Sequence, residues 1–155
     1  MTAQEMQLIQ AIGRQATHIG AWDKEPGYPL ELYVVTSRQV MHYLPDGHRA
    51  ESRAVSDLRP GLKDAAVGQS IIVAAPLVIV VAAVPSRLSH RYGGKAEEFV
   101  QIEVGHAAQN ILLQAAALGL AAVPVGSLDP SRAADTLALP ADQTVLYLIP
   151  VGHVA

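Results

Sequence analysis

The sequence has no cysteine, one phenylalanine and one tryptophan, and only 16% of its 155 residues are charged. Without thiols there can be no disulfide scaffold, thiolate zinc site or cysteine nucleophile. The charged residues nearly balance, 11 Lys and Arg against 14 Asp and Glu. That leaves no basic footprint for nucleic acid. Long apolar runs are also missing. Ile71 to Val84 is interrupted by Pro76, and Ile111 to Val125 carries Gln114 and Pro124. A membrane-spanning helix needs about 20 apolar residues, so both runs read as interior elements. Met1 to Gly20 contains Glu5 and Arg14 and has no continuous apolar core, so it does not read as a signal peptide. The expectation is a soluble cytoplasmic protein with neither a nucleic-acid nor a membrane partner.

Half of the residues are hydrophobic. That excludes a disordered chain, and the length fits one domain, residues 1–155, with a sizeable core. So little polar surface favours an oligomer, which hides apolar area between subunits.

Element signals follow the chain in order. Thr2 and Glu5 form a capping box ahead of Met6, Ile9, Ile12, Ala16 and Ile19, which recur at helical spacing up to Gly20. Trp22 to Pro29 is a loop. Leu30 to Thr36 and Val40 to Leu44 are strands around a tight turn, and Pro45-Asp46-Gly47 is a second turn. Arg49 to Val55 returns as a third strand of poor composition. Leu58 to Val67 is a short helix with Pro60 near its start. Leu77 to Val84 is the central strand, apolar on both faces. Pro85 to Tyr92 holds a helical turn closed by Gly93-Gly94. Ala96 to Leu120 is the longest helix, and its polar residues thin out after Asn110. Ala121 to Val125 is a short strand. Pro130 to Leu137 is a small helix capped by Asp129. Thr144 to Val151 is the last strand.

The chemistry-bearing residues are sparse. The six histidines are scattered, with no H-x-H or H-E-x-x-H pair, so no metal site is assigned. No phosphate-binding P-loop, G-x-G-x-x-G turn or G-x-S-x-G elbow is present. Glu103, His106, Gln109 and Asn110 on the long helix either line a pocket or satisfy polar groups where helices meet. Gly105 costs about 1 kcal/mol in mid-helix and suggests close approach of a ligand or another backbone. Arg87, His90, Arg91 and Lys95 are a basic cluster beside Gly93-Gly94, either an anion site or a solvated loop. Gly126-Ser127-Leu128-Asp129 follows the buried strand Ala121 to Val125; Gly126 leaves backbone N–H groups open to a ligand, and Ser127 adds a hydroxyl. The alternative is a plain strand-to-helix turn.

Several motifs, taken in order, carry a family resemblance. They are Tyr28-Pro29-Leu30-Glu31-Leu32-Tyr33-Val34-Val35, His42-Tyr43-Leu44-Pro45-Asp46-Gly47-His48, Arg91-Tyr92-Gly93, Glu103-Val104-Gly105-His106-Ala107-Ala108-Gln109-Asn110, Leu118-Gly119-Leu120, Pro124-Val125-Gly126 and Leu146-Tyr147-Leu148-Ile149-Pro150-Val151-Gly152. Together they resemble the nitroreductase family, and within it the SagB-type dehydrogenases that include thiazole- and oxazole-forming enzymes. The resemblance implies an α+β fold with a mostly antiparallel central sheet flanked by helices. It further implies an intimate homodimer, packed in part through the long helix, with FMN at the subunit interface. The implied activity is two-electron transfer through flavin N5 to a small organic substrate, with NAD(P)H as a possible electron donor. Pro124, Val125, Gly126 and Ser127 match the segment that passes the flavin ring. Gln109 and Asn110 match a helix signature with a packing or dimer role.

Three family features are altered. The arginine-rich motif that holds the flavin phosphate would precede Met1. The Pro-Ser-Ala-Gly-like loop is reduced to Lys24-Glu25-Pro26-Gly27-Tyr28-Pro29. Basic residues beyond the last strand are missing. Substitute phosphate ligands are Arg14, Arg87, Arg91, Lys95 and Arg132, with Arg91 taken as the cofactor-binding candidate. The alternative to an FMN enzyme is therefore a flavin-free relative acting as a binding or partner subunit.

Overall fold

Strand β4 (Leu77–Ala83) reads LVIVVAA, and all seven residues are buried. A strand of that composition must lie in mid-sheet with both faces covered. It does so in the computed structural model, which describes residues 28–153. The Thr2 capping box, the helix up to Gly20, most of the following loop and Arg14 lie outside the described residues.

Strands β1 (Leu30–Thr36), β2 (Val40–Leu44), β3 (Arg49–Ala54), β4, β5 (Ala121–Ala122) and β6 (Thr144–Gly152) form one sheet. Their order is β3-β2-β1-β4-β6-β5, and every pairing is antiparallel. The helices are α1 (Arg59–Ala65), α2 (Ile71–Ala74), α3 (Ser86–Tyr92), α4 (Ala96–Ala117) and α5 (Pro130–Leu137). The expected α+β class with helices flanking an antiparallel sheet is the architecture observed.

Alternation along the strands divides the core in two. Leu30, Leu32 and Val34 of β1 face α4, together with Ile79 and Val81 of β4. Tyr33 and Val35 face the opposite way, with Val78 and Val80, onto a layer made by Leu62 of α1, Ile72 of α2 and Leu137 of α5. Helix α4 contributes Ala96, Val100, Val104, Ala107, Ala108, Ile111 and Ala115. That spacing of three and four residues is one helical stripe.

Several boundaries differ from the sequence reading. The strand expected over Ala121 to Val125 is only Ala121–Ala122, at the sheet edge and not buried, because Pro124 has no N–H to continue the ladder. Helix α4 stops at Ala117, three residues short of Leu120. Gly119 adopts φ 71° there. The Leu120 N–H returns to Ala115 O at 2.9 Å and the Gly119 N–H to Ala116 O at 3.0 Å, the paired bonds of a glycine helix stop. The apolar run at Ile71 begins as a single helical turn, and Pro76 separates it from β4.

The β4–β6 ladder has a bulge. Val81 pairs with Tyr147 but Ala82 pairs with Val145, leaving Leu146 as the extra residue. Leu146 and Tyr147 consequently both pack on the α4 side of the sheet, while Leu148 and Val145 belong to the other core.

Candidate functional site

The segment 123–127 begins at the short edge strand and runs beside β6. Val125 N–H donates to Leu148 O at 2.8 Å, and Leu148 N–H donates back to Val125 O at 3.1 Å. This two-bond bridge pins the segment and buries the Val125 side chain in the α1/α5 core. Beyond it, Leu128 N–H turns back to Gly126 O at 3.1 Å, and Asp129 N–H reaches Ala65 O at 2.8 Å. Asp129 Oδ1 accepts from Ser131 N–H at 3.0 Å and Arg132 N–H at 3.1 Å, which caps α5. The segment is thus fastened at both ends.

Between those fastenings the four predicted residues differ. Pro124 has no N–H, and that of Val125 is engaged with Leu148. The N–H groups of Gly126 and Ser127 take no hydrogen-bond partner among the described residues, and both residues are exposed. Gly126 lies opposite Tyr147. A Cβ at position 126 would stand 2.9 Å from Tyr147 Cε1 and 3.5 Å from its Cδ1. Contacts that short are not sustained, so any side chain at position 126 would force the Tyr147 ring to shift.

Arg91 stands on a different element. It lies on α3, exposed, with its guanidinium carbon 5.4 Å from the centroid of the Tyr92 ring. Tyr92 in turn packs on Phe99, the chain's single phenylalanine, at 4.6 Å between centroids. Of the other basic candidates, Lys95, His90 and Arg132 are exposed. Arg87 is committed elsewhere: Nη1 donates to Tyr28 O at 3.0 Å and Nη2 to Glu31 Oε1 at 2.5 Å.

On α4, His106 and Gln109 are exposed, whereas Glu103 and Asn110 are half-buried. Among the described residues, a Cβ on Gly105 would meet nothing within 4 Å, so no close approach there explains this glycine. The apolar Phe99, Ile102 and Leu113 on the same helix are also exposed, Leu113 by 58%.

Sequence reasoning missed a polar cluster at the start of β1. Glu31 Oε2 lies 2.6 Å from His42 Nε2, and the His42 ring stacks on Tyr33 at 4.5 Å. The Tyr33 hydroxyl donates to Gln143 Oε1 at 2.8 Å. Burial alone would push the Glu31 carboxyl up; hydrogen bonds from His42 and Arg87 outweigh it and hold the group below its ordinary value. Nearby, the buried Tyr28 hydroxyl has no hydrogen-bond partner among the described residues. Burial first, then the charge of Glu103 and Glu31 and the nearby Tyr43, pushes its pKa well up. The one local signal for this grouping is Tyr28 and Glu31 lying on either side of Pro29, and that signal is weak.

A cleft of about 420 Å³ opens at the other end of the sheet, between α2 and the β5–β6 edge. Apart from His153 its lining side chains are apolar, and none of the predicted site residues is among them. Among the described residues no group of three or more His, Asp or Glu side chains could hold a metal ion. No helix among them is long and apolar enough to cross a membrane.

Comparison with known proteins places these features in context. The model of the family described as "Nitroreductase family" matches residues 3–153. The Methanocaldococcus jannaschii protein named "Putative nitroreductase MJ1384" is 34% identical over 132 residues, covering 81% of this chain and 66% of the relative. The chain therefore spans slightly less than two thirds of that relative. A subunit of the Escherichia coli microcin synthetase McbBCD complex superposes with a TM-score of 0.73 at 21% identity, over 83% of this chain and 53% of that one. The NADPH:FMN oxidoreductase of Vibrio harveyi superposes at 0.68 and 21% identity, over 99% and 60%. At these identities the two structures share the fold.

Proposed function

The chain belongs to the nitroreductase family, and from that premise we propose that it is an FMN-dependent oxidoreductase acting on a small organic substrate. The observation that carries this reading is the pair of N–H groups at Gly126 and Ser127, without a partner among the described residues, on a segment fastened by the Val125–Leu148 bridge. The residues fit the group. Two adjacent backbone donors beside a residue without a side chain suit a flat heteroaromatic ring with neighbouring acceptor atoms. When bound, FMN supplies two-electron transfer at N5, and NAD(P)H is the proposed donor of those electrons. The protein's share is to hold and orient. Gly126 N–H, Ser127 N–H and the Ser127 hydroxyl would meet the ring's polar edge. Pro124 and Val125 fix where those donors point, one by its restricted backbone and the other by its bridge to β6. Arg91 is the proposed partner for the phosphate, a charge-assisted contact. The SagB-type branch is proposed on the ordered motifs from Tyr28 to Gly152, with the microcin synthetase subunit as a neighbour of the same fold.

We further propose a homodimer built on the exposed face of α4, where Ile102 and Leu113 would be covered. Gln109 lies on that face and would take its place in the contact.

The test is a visible absorption spectrum after incubation with excess FMN and desalting. Retained flavin bands that bleach on adding NAD(P)H are the expected result. Absent bands would overturn the reading. Gly126→Val should lose the flavin while leaving the dimer intact, because the added side chain meets Tyr147.

A second reading is favoured by the fate of Arg87. That side chain is one of the cations of the basic cluster offered for a phosphate contact, and it is tied to Glu31 and Tyr28. A flavin-free binding or partner subunit follows if no other cation takes that role. The same spectrum distinguishes the two.

A further inference from the structure

We infer that Tyr147 is a positioning residue for the Gly126–Ser127 donors, an inference that rests on the flavin reading. The ring occupies the volume a side chain at position 126 would fill, with Cε1 at 2.9 Å and Cδ1 at 3.5 Å from the site of that Cβ. Gly126 is therefore confined from two sides. The Val125–Leu148 bridge fixes the backbone just before it, and the tyrosine ring edge lies against it on the α4 side.

The bulge explains why a large side chain is there at all. Leu146 is the unpaired residue, so Leu146 and Tyr147 both pack on the α4 face. In a regular ladder two successive residues would point to opposite faces. Tyr147 is half-buried and packs against the α4-side core, which places its ring as a wall beside Gly126. Rotation of the Gly126 peptide toward α4 would drive it into that wall. The tyrosine thus sets the direction of two N–H groups without touching the ligand through a polar atom.

The experiment is a double-mutant cycle on the full chain, read by FMN affinity from fluorescence quenching and by the shape of the bound flavin's absorption bands. Gly126→Ala alone should weaken FMN binding about tenfold, a change of about 1.4 kcal/mol. In the Tyr147→Ala background the same alanine should cause no further loss, because its methyl group no longer meets a ring. Tyr147→Phe keeps the ring edge and should retain both the affinity and the band shape. Tyr147→Leu fills similar space without a planar edge, and should alter the band shape even if Tyr147→Ala does not fold. Equal losses from Gly126→Ala in both backgrounds, or a Leu variant with the wild-type spectrum, would overturn the positioning role while the flavin reading stands. Failure of the unmutated protein to take up FMN would overturn both.

Discussion

His42 Nε2 lies 2.6 Å from Glu31 Oε2, across the β1–β2 pair. The other Glu31 oxygen is held by Arg87 of α3, so one carboxylate joins two strands and a helix. Both the Glu31 and His42 side chains are largely shielded from water. Hydrogen bonds to an ionised acceptor in such a place are worth more than at the surface.

Glu31→Gln should therefore destabilise the fold by about 1–3 kcal/mol at neutral pH. The pH dependence has a definite sign. Glu31 titrates lower in the folded chain than in the unfolded one. Its contribution is complete above the ordinary carboxylate range and is lost as pH falls through the lowered folded-state value. Urea midpoints of both proteins measured from neutral to acid pH should converge at the acid end. Parallel curves would count against this role.

Arg59 is a buried cation with its partners in place. Nε and Nη2 donate to the two oxygens of Asp57 at 2.9 and 2.7 Å, and Nη1 donates to Ala75 O at 2.7 Å. The hydrogen-bonded guanidinium lowers the Asp57 pKa. Lysine has no planar fork and cannot reproduce the bidentate pair with Asp57 while also reaching Ala75 O in the same geometry. Arg59→Lys should lower unfolding free energy by about 2–3 kcal/mol, measured by urea denaturation.

Val67 has φ 56° and is 77% exposed. A β-branched residue in the left-handed region is strained by about 1–2 kcal/mol, and little burial offsets that here. Val67→Gly should raise the thermal midpoint, with a gain of about 1 kcal/mol. A loss of stability would mean that the valine makes contacts in an assembly.

Leu113 is 58% exposed on the outer face of α4. A charge placed there should split the proposed homodimer. Sedimentation velocity of Leu113→Glu should show a monomer where the parent chain sediments as a dimer. An unchanged dimer would move the interface off this face.

Much of the fold is legible because its signals are local. The all-apolar LVIVVAA run marks the central strand, and Asp129-Pro130 marks the start of α5. Gly119 marks the end of α4, though the helix stops at Ala117, three residues before the expected Leu120. Four of the five site candidates fall on one segment, since Pro124 to Ser127 are contiguous; Arg91 stands on another helix. What the sequence does not disclose depends on register. Nothing local says that Gly126 lies opposite Tyr147, because a bulge at Leu146 decides which β6 residues face α4. The burial of Arg59 is not visible in the sequence, because it depends on Ala75 O, sixteen residues away. Glu31, His42 and Arg87 come from three elements, and no spacing rule joins them.

The two reciprocal hydrogen bonds between Val125 and Leu148 also bear on how a ligand would be received. A segment held in one shape before any encounter gives up little conformational entropy when its donors are engaged. Isothermal titration should then show a heat of binding not much eroded by ordering, and association without a slow rearrangement phase. Loss of the bridge would be felt first as a looser receptor: the same two N–H groups, present in many orientations, with residence time shortened before the donors themselves are lost.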